Sequence, residues 1–307
     1  MALGSTGMRL SPIGFGAWAV GGGDWEHGWG PQDDAESVAA IERALELGIN
    51  WIDTAAVYGF GHSEEVVGRA LASRRERPFV FTKCGLVRGG DGREVPCLRR
   101  DSIRREVEAS LDRLGVAAID LHQIHWPFPE EEIEEGWAAL VELREEGLIR
   151  HAGVSNFSVA QLRRVAAIAP VETLQPPFSL IDREAERELL PFCEEQGIGV
   201  IVYSPMGSGL LSGRMSRERI AALPEGDWRR HAAAFNEPEL AANLEAAERV
   251  GRVAAGRGVA PGAVAVAWAL RNPAVDAAIV GLRRPEQVEE LIAAATLELD
   301  EADAAAL

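Results

Sequence analysis

Of the 31 basic side chains in this sequence only one is a lysine, Lys83, and there are only two tyrosines, Tyr58 and Tyr203. Lysine offers what arginine does not, a compact ammonium whose pKa moves with its surroundings. Lys83 ends the apolar run Phe79-Val80-Phe81-Thr82, and Asp53 ends Asn50-Trp51-Ile52, so each reads as the polar tip of a short buried strand. Parallel neighbouring strands would bring Asp53, Tyr58 and Lys83 to one rim. A tyrosine has a reference pKa of about 10, and a nearby ammonium lowers it by stabilising the phenolate. Asp53 would keep that ammonium charged, and His125 would give the same oxygen a second hydrogen bond. Such a set polarises a carbonyl and protonates its oxygen as negative charge builds. It lacks a nucleophile, which a hydride from a nicotinamide would supply. Ser155, Asn156 and Gln175 are amide-binding candidates for that ring, and the Tyr203 ring can lie against it. Each residue alone has a plainer reading: Asp53 as a helix cap, His125 as a satisfied core histidine, Gln175 as a backbone partner. Their shared position at strand ends argues for function.

The elements that must position them alternate along the chain. After a short N-terminal piece able to pair as a hairpin, Ile13 to Trp18 reads as a strand, and a Gly/Trp-rich loop runs from Gly21 to Pro31. Helices follow from Asp33-Asp34 to Gly48, from Ser63 to Ala72, from Asp101 to Gly115, from Glu130 to Gly147, from the Ser158 cap to Pro170, and from Asp182 to Gly197. Each is followed by an apolar strand, the last ending at Tyr203. A long arginine-bearing segment fills Ser204 to Pro238; helices at Leu240 to Ala255 and Pro261 to Leu270, a strand at Ala277 to Val280 and a helix from Pro285 complete the chain. Repeated helix-glycine-strand units with nearly uninterrupted apolar strands predict a parallel sheet covered by helices, and eight of them predict an α/β fold, a (β/α)8 TIM barrel, in one domain spanning 1–307. In a barrel, the C-terminal strand ends converge on one mouth.

At 307 residues the chain buries about three quarters of its unfolded surface. A net charge of −17 argues against nucleic acid and acidic membranes as partners, so an anionic ligand must be gripped locally. Three cysteines without CxxC spacing predict neither a disulfide framework nor a metal site. No apolar run reaches membrane-spanning length and Met1 to Leu10 has no signal-peptide core, so a soluble cytoplasmic protein is expected. Neither Gly207-Ser208-Gly209 nor Gly59-Phe60-Gly61 completes a GxGxxG fingerprint.

The motifs taken together resemble the aldo-keto reductase family. They are Gly48-Ile49-Asn50-Trp51-Ile52-Asp53-Thr54-Ala55 with Tyr58-Gly59, Phe81-Thr82-Lys83, Asp120 to Pro127, Gly153-Val154-Ser155-Asn156-Phe157, Gln175 to Leu180, and Tyr203-Ser204-Pro205, in that order along nearly the whole chain. The resemblance implies a barrel reductase that binds NADPH, with NADH the less expected cofactor, in extended form and without a Rossmann domain. It implies a catalytic tetrad of Asp53, Tyr58, Lys83 and His125 with Tyr58 as the acid, carboxamide binding by Ser155, Asn156 and Gln175, and stacking by Tyr203. The pyrophosphate would follow Ser204, Pro205, Gly207, Gly209 and Leu210, where small residues let the backbone approach, with Arg214 near it. Gly281, Arg283 and Gln287 would meet the adenosine 2′-phosphate, Arg283 being an arginine at a helix start. Gln287 stands where many members carry arginine, and Leu291 where many carry asparagine.

The substrate would be a small-molecule carbonyl, an aldehyde or a ketone, under apolar walls from Trp25 or Trp29 and from Trp126. Two other readings use the same barrel. One is a non-catalytic NADP-binding regulatory subunit; the other is a Schiff-base aldolase acting through Lys83.

Overall fold

The computed structural model describes residues 1–23, 25, 27–72 and 74–307. Eight parallel strands close into a barrel: β1 (Ile13–Gly16), β2 (Trp51–Asp53), β3 (Phe79–Cys84), β6 (Ile119–Ile124), β7 (Ile149–Ser155), β8 (Thr173–Gln175), β9 (Gly199–Val202) and β10 (Ala277–Gly281). β10 closes the ring by pairing with β1, Ile13 opposite Ala278 and Phe15 opposite Val280. Between β3 and β6 lies an antiparallel hairpin of β4 (Leu86–Arg88) and β5 (Glu94–Pro96), which the apolar pattern did not predict.

The helices between strands are α1 (Asp34–Glu46), α2 (His62–Leu71), α3 (Arg100–Leu114), α4 (Ile133–Glu145), α5 (Val159–Ala166) and α6 (Leu189–Gln196). After β9 come α7 (Arg217–Ala221), α8 (Glu239–Arg257) and α9 (Pro261–Leu270), and after β10 α10 (Pro285–Leu291) and α11 (Glu301–Ala306). Their ends follow local chemistry. The Asp33 side chain accepts the Glu36 amide at α1, Ser158 and Gln161 form a capping box at α5, and Gly115 and Gly197 end α3 and α6 in the left-handed region. The expected helix from Asp182 begins only at Leu189, because Asp182 is held in a tight turn with Ser179. The expected strand to Trp18 stops at Gly16, and Trp18 starts a 3-10 turn. Of the Gly21 to Pro31 loop, Asp24 and Glu26 lie outside the described residues.

Alternation along the strands sorts the core into two shells. Outward residues such as Ile52, Val80, Ile124, Val154, Leu174 and Val200 pack under the helices. Inside the barrel, Trp51, Phe81, Leu121, Ile201 and Ala277 pack on Leu3, Met8 and Leu10 of the N-terminal segment, whose Ala2 and Arg9 form an antiparallel bridge. A Cβ at Gly14 would lie 2.2 Å from the Trp51 ring, so a glycine on β1 gives the indole its room. The apolar plug fills the barrel up to the level of Asp53 and Lys83, and polar side chains take over there.

Candidate active site

Asp53 and Lys83 each sit one place beyond a large apolar inward residue's neighbour, two positions after Trp51 and Phe81 on adjacent strands, so the strand period aims them at the mouth. Lys83 Nζ donates to Asp53 Oδ2 at 2.6 Å and to the Thr54 carbonyl at 2.9 Å, and lies 3.5 Å from the Tyr58 hydroxyl. Both members of the ion pair are almost fully buried. Burial pulls Lys83 below the ordinary lysine range and pushes Asp53 above the ordinary carboxylate range, and their mutual attraction opposes both shifts.

For Tyr58 the lowered pKa expected beside an ammonium is not what the site produces. Burial and the Asp53 charge push the phenol well above its usual value. Asp53 at contact distance offsets part of the Lys83 charge, so what reaches a hydroxyl 3.5 Å away eases the phenolate without outweighing burial. Burial and the Lys83 charge hold His125 well below the ordinary histidine range, as a neutral imidazole. Its ring meets Tyr58 edge to face with centroids 5.7 Å apart, and among the described residues no hydrogen bond joins the two.

The amide-binding candidates belong to the same polar network. Gln175 Nε2 donates to Asp53 Oδ1 at 2.9 Å, so this amide steadies the carboxylate from the side opposite Lys83. Ser155 Oγ donates to the Gln175 carbonyl, and Asn156 Nδ2 donates to Ser155 Oγ and to the His125 carbonyl. Tyr203, one residue past β9, donates its hydroxyl to Asn156 Oδ1 at 2.8 Å. Ser155, Asn156, Gln175 and Tyr203 line one cleft of about 730 Å³ with Asp53, Tyr58 and His125, and it runs on to Arg283 and Arg284.

Behind β3 a second cluster braces the strand. Thr82 donates to the buried Glu64, which pairs with Arg113, and Glu106 accepts the Gly85 amide at 2.9 Å and the Ser102 hydroxyl. Burial pushes Glu106 up to about 7.

Aromatic rings roof the tetrad. Trp25 lies 5.8 Å from the Tyr58 ring and Trp126 lines the cleft wall, as expected. Trp29 stands edge-on to Trp18 at 5.6 Å, and Trp18, which reads in the sequence as a strand end, lies stacked with Tyr58 at 6.3 Å and with Trp228 at 5.7 Å. The indole N–H groups of Trp18, Trp25, Trp29 and Trp228 are buried without a partner among the described residues.

Toward the other end of the cleft the expected contacts are partly redistributed. Ser204, Pro205 and Gly209 line it, and Ser208 and Gly209 both have left-handed backbones that kink the segment. Gly207 packs at Ile181, and Leu210 is buried with Ile220, Phe235 and Leu240, so these two anchor the segment from behind. Arg214 Nη2 donates to both carboxylate oxygens of Glu290, at 2.6 Å each. Arg283 reaches across the cleft to the Gln32 side chain and to the Trp29 and Pro31 carbonyls. Gln287 Oε1 accepts the amides of Arg283 and Arg284, so it caps α10, and Gly281 lines the cleft without a side chain. Leu291, in place of the family's asparagine, gives that end an apolar lining.

Comparison with known proteins agrees with this architecture. The model of the Aldo/keto reductase family matches residues 12–307. The aldo-keto reductase YhdN of Bacillus subtilis is 39% identical, over 94% of this chain and 86% of its own length. The NADH-specific methylglyoxal reductase of Escherichia coli is 37% identical, over 98% of this chain and 95% of its own. Among solved structures, the glycerol dehydrogenase AKR11B4 of Gluconobacter oxydans superimposes with a TM-score of 0.88 at 40% identity, covering 97% of this chain and 90% of that one. With an eight-stranded parallel barrel, a buried Asp-Lys pair beside a tyrosine at its mouth, and relatives matching nearly end to end, this chain belongs to the aldo/keto reductase family.

Proposed function

We propose that the protein reduces small aldehydes, and some ketones, with NADPH, and that Tyr58 is the proton donor. The observation that carries this reading is the Lys83 ammonium, seated between the Asp53 carboxylate at 2.6 Å and the Tyr58 hydroxyl at 3.5 Å under a roof of indoles. A bound reduced nicotinamide would supply the hydride at this end of the cleft. The chain's own residues do the rest. Neutral His125 and the Tyr58 hydroxyl form the polar end of an otherwise aromatic pocket, where a carbonyl oxygen finds its donors. As negative charge grows on that oxygen, Tyr58 gives up its proton, and the buried Lys83 ammonium stabilises the phenolate left behind. Asp53, held by Lys83 and Gln175, keeps that ammonium charged and in place. The indoles exclude water and strengthen each of these interactions.

The substrate class is supported by the same roof. Four tryptophans whose indole N–H groups can donate line it, and they suit a carbonyl compound with additional oxygens better than a plain hydrocarbon aldehyde. Methylglyoxal, for which one relative is named, is a compound of that kind, and glycerol, for which another is named, is an oxygen-rich alcohol. For the cofactor, Arg283 and Arg284 at the far end of the cleft suit a 2′-phosphate. A second reading, NADH, is favoured by the three bonds that already hold Arg283 to the loop at 29–32, and by the Asp33 and Glu36 carboxylates lining the cleft there. The Schiff-base reading fits poorly: the Lys83 amine is saturated by Asp53, Thr54 and Tyr58, and Asp53 favours its charged form.

The test is oxidation of NADPH and of NADH with 4-nitrobenzaldehyde and with methylglyoxal, in wild type and Tyr58→Phe, with cofactor binding measured in parallel. Turnover in wild type, with loss of about a thousandfold in a Tyr58→Phe variant that binds cofactor normally, is the expected result. Cofactor binding by both proteins without turnover of any carbonyl would favour the regulatory-subunit reading.

A further inference from the structure

The β4–β5 hairpin is not needed to close the barrel, and it starts at Leu86, one residue beyond the strand that carries Lys83. It therefore rises from the mouth. Gly85 anchors its base twice: the amide donates to Glu106 Oε2 at 2.9 Å, and the carbonyl accepts the Cys97 amide at 3.0 Å. From that base Leu86 and Glu94 reach the cleft, which they line together with Trp25, His27, Tyr58 and Trp126. The hairpin is part of the pocket wall. Two ties hold it there. Glu94 Oε1 lies 3.2 Å from His27 Nε2, which joins the hairpin to the loop at 21–31. Arg88, opposite Glu94 in the ladder, sets its guanidinium over the Phe60 ring at 5.0 Å, which joins the hairpin to the loop that carries Tyr58.

This arrangement puts a carboxylate at the substrate end. The His27 ring stands edge-on to Trp25 at 6.0 Å, and Trp25 lies 5.8 Å from Tyr58, so Glu94 is two rings away from the proposed proton donor. Among the described residues lining the cleft, the other carboxylates are placed differently. Asp53 is matched by Lys83, while Asp33, Glu36 and Glu290 stand toward the adenosine end. Glu94 faces a histidine that carries charge only when protonated, and the Arg88 guanidinium is turned to Phe60. At the roof, Arg229 is matched by Asp227 at 2.9 and 2.6 Å. The substrate end thus has a carboxylate in its wall, and the cleft's arginine-rich stretch lies at the other end.

We propose that Glu94 sorts carbonyl substrates by charge, admitting neutral and cationic compounds and turning away those with a carboxylate remote from the carbonyl. The proposal rests on the carbonyl-reductase reading and adds a substrate class to it. A substrate whose carbonyl oxygen sits at Tyr58 and His125 extends its other end toward the outer wall, of which Leu86 and Glu94 are part. Two carboxylates repel there more strongly than in bulk water, because the effective dielectric of a pocket wall is lower. The indoles act in the same direction, since their faces attract cations and offer nothing to an anion. A net charge of −17 biases the approach of an anionic substrate further. Glu94 stays outside the proton transfer; it determines specificity.

The test is a charge series on one scaffold: 4-carboxybenzaldehyde, 4-nitrobenzaldehyde and 4-trimethylammoniobenzaldehyde. Steady-state kinetics at saturating reduced cofactor compare each aldehyde with itself across full-length wild type, Glu94→Gln and Glu94→Lys. Glu94→Gln removes the charge and keeps a hydrogen-bond partner for His27. It should raise kcat/KM for the carboxylate about five- to tenfold, lower it for the ammonium by a similar factor, and leave the nitro compound within about twofold. The change should fall on KM, because the repulsion is the same before and during hydride transfer. Glu94→Lys should extend both trends, and salt at about 0.5 M should shrink them. A change of equal size for all three aldehydes marks a structural role of the hairpin and overturns the proposal. So does a carboxylate-to-nitro ratio that stays within about twofold of wild type in both variants. Wild type that turns over none of the three overturns the reductase reading, and this one falls with it; turnover with an unchanged charge series overturns this one alone.

Discussion

The two ends of the cleft are built in opposite ways. At the tetrad end, Tyr203, Asn156, Ser155, Gln175, Asp53 and Lys83 are joined in a continuous hydrogen-bond chain at the strand ends, buried from Ser155 inward. At the adenosine end the side chains are longer, more exposed and attached to loops, and their bonds bridge segments more than seventy residues apart in sequence. Chemistry needs reacting groups held within fractions of an ångström, whereas gripping and releasing a cofactor needs bonds that exchange readily with phosphate. The contrast is between groups held on strand ends and groups held on loops.

The largest effect should come from breaking the rigid end. Lys83→Met leaves the Asp53 carboxylate buried with only Gln175, so turnover should fall by about a thousandfold and stability by about 3–5 kcal/mol, read by steady-state kinetics and urea midpoints. Adding Asp53→Asn should return most of the stability and none of the activity, which separates the fold's use of the pair from the reaction's.

Next in size is the brace behind β3. Glu106 carries a folded-state pKa of about 7, above its value of 4.5 when unfolded, so its contribution is full below pH 4.5 and is lost as pH rises through 7. The loss should be on the order of 2–3 kcal/mol. His122, buried behind the same sheet and pulled down to about 3, acts in the opposite direction, adding stability above pH 6.5 that is lost as pH falls toward 3. His125, also held well below the ordinary histidine range, adds to the histidine side, so the thermal midpoint of wild type should rise between pH 5 and 6.5, and Glu106→Gln should steepen that rise.

At the loop-borne end the effects should be smaller. Arg283→Ala removes three bonds to the loop at 29–32 together with a phosphate partner, so NADPH affinity should drop about tenfold, with NADH affected less than threefold, in equilibrium titrations. Smallest of all, Arg214→Ala breaks an ion pair whose side chains are about half exposed, and should change thermal stability by less than about 1 kcal/mol. An Arg214 effect as large as the Arg283 effect would erase the distinction between the two arginines.

How far the sequence could be read follows the same division. Asp53, Lys83, His125 and Gln175 were legible because a strand's period and its end determine where its side chains point, and the eight units that close the barrel repeat one local grammar. Trp18 was missed because its position comes from loop conformation, and Arg283's partners lie about 250 residues away in sequence. Some signals were present and unused. Gly89-Gly90-Asp91-Gly92 marks the hairpin turn between β4 and β5, and Asp300 with Asp303 forms the capping box of α11. The direction of the Tyr58 shift was not legible at all, since it depends on how completely Asp53 matches the lysine's charge.

That solitary lysine also makes the fold its own reporter. Lys83 is 1% exposed at the mouth end of β3, while every other basic side chain is arginine. A lysine-specific endoprotease therefore has one peptide bond to cut, between Lys83 and Cys84, and can reach it only when β3 leaves the sheet. The rate at which the chain splits into pieces of 83 and 224 residues (307 less 83) would measure barrel opening directly, without any label or engineered site.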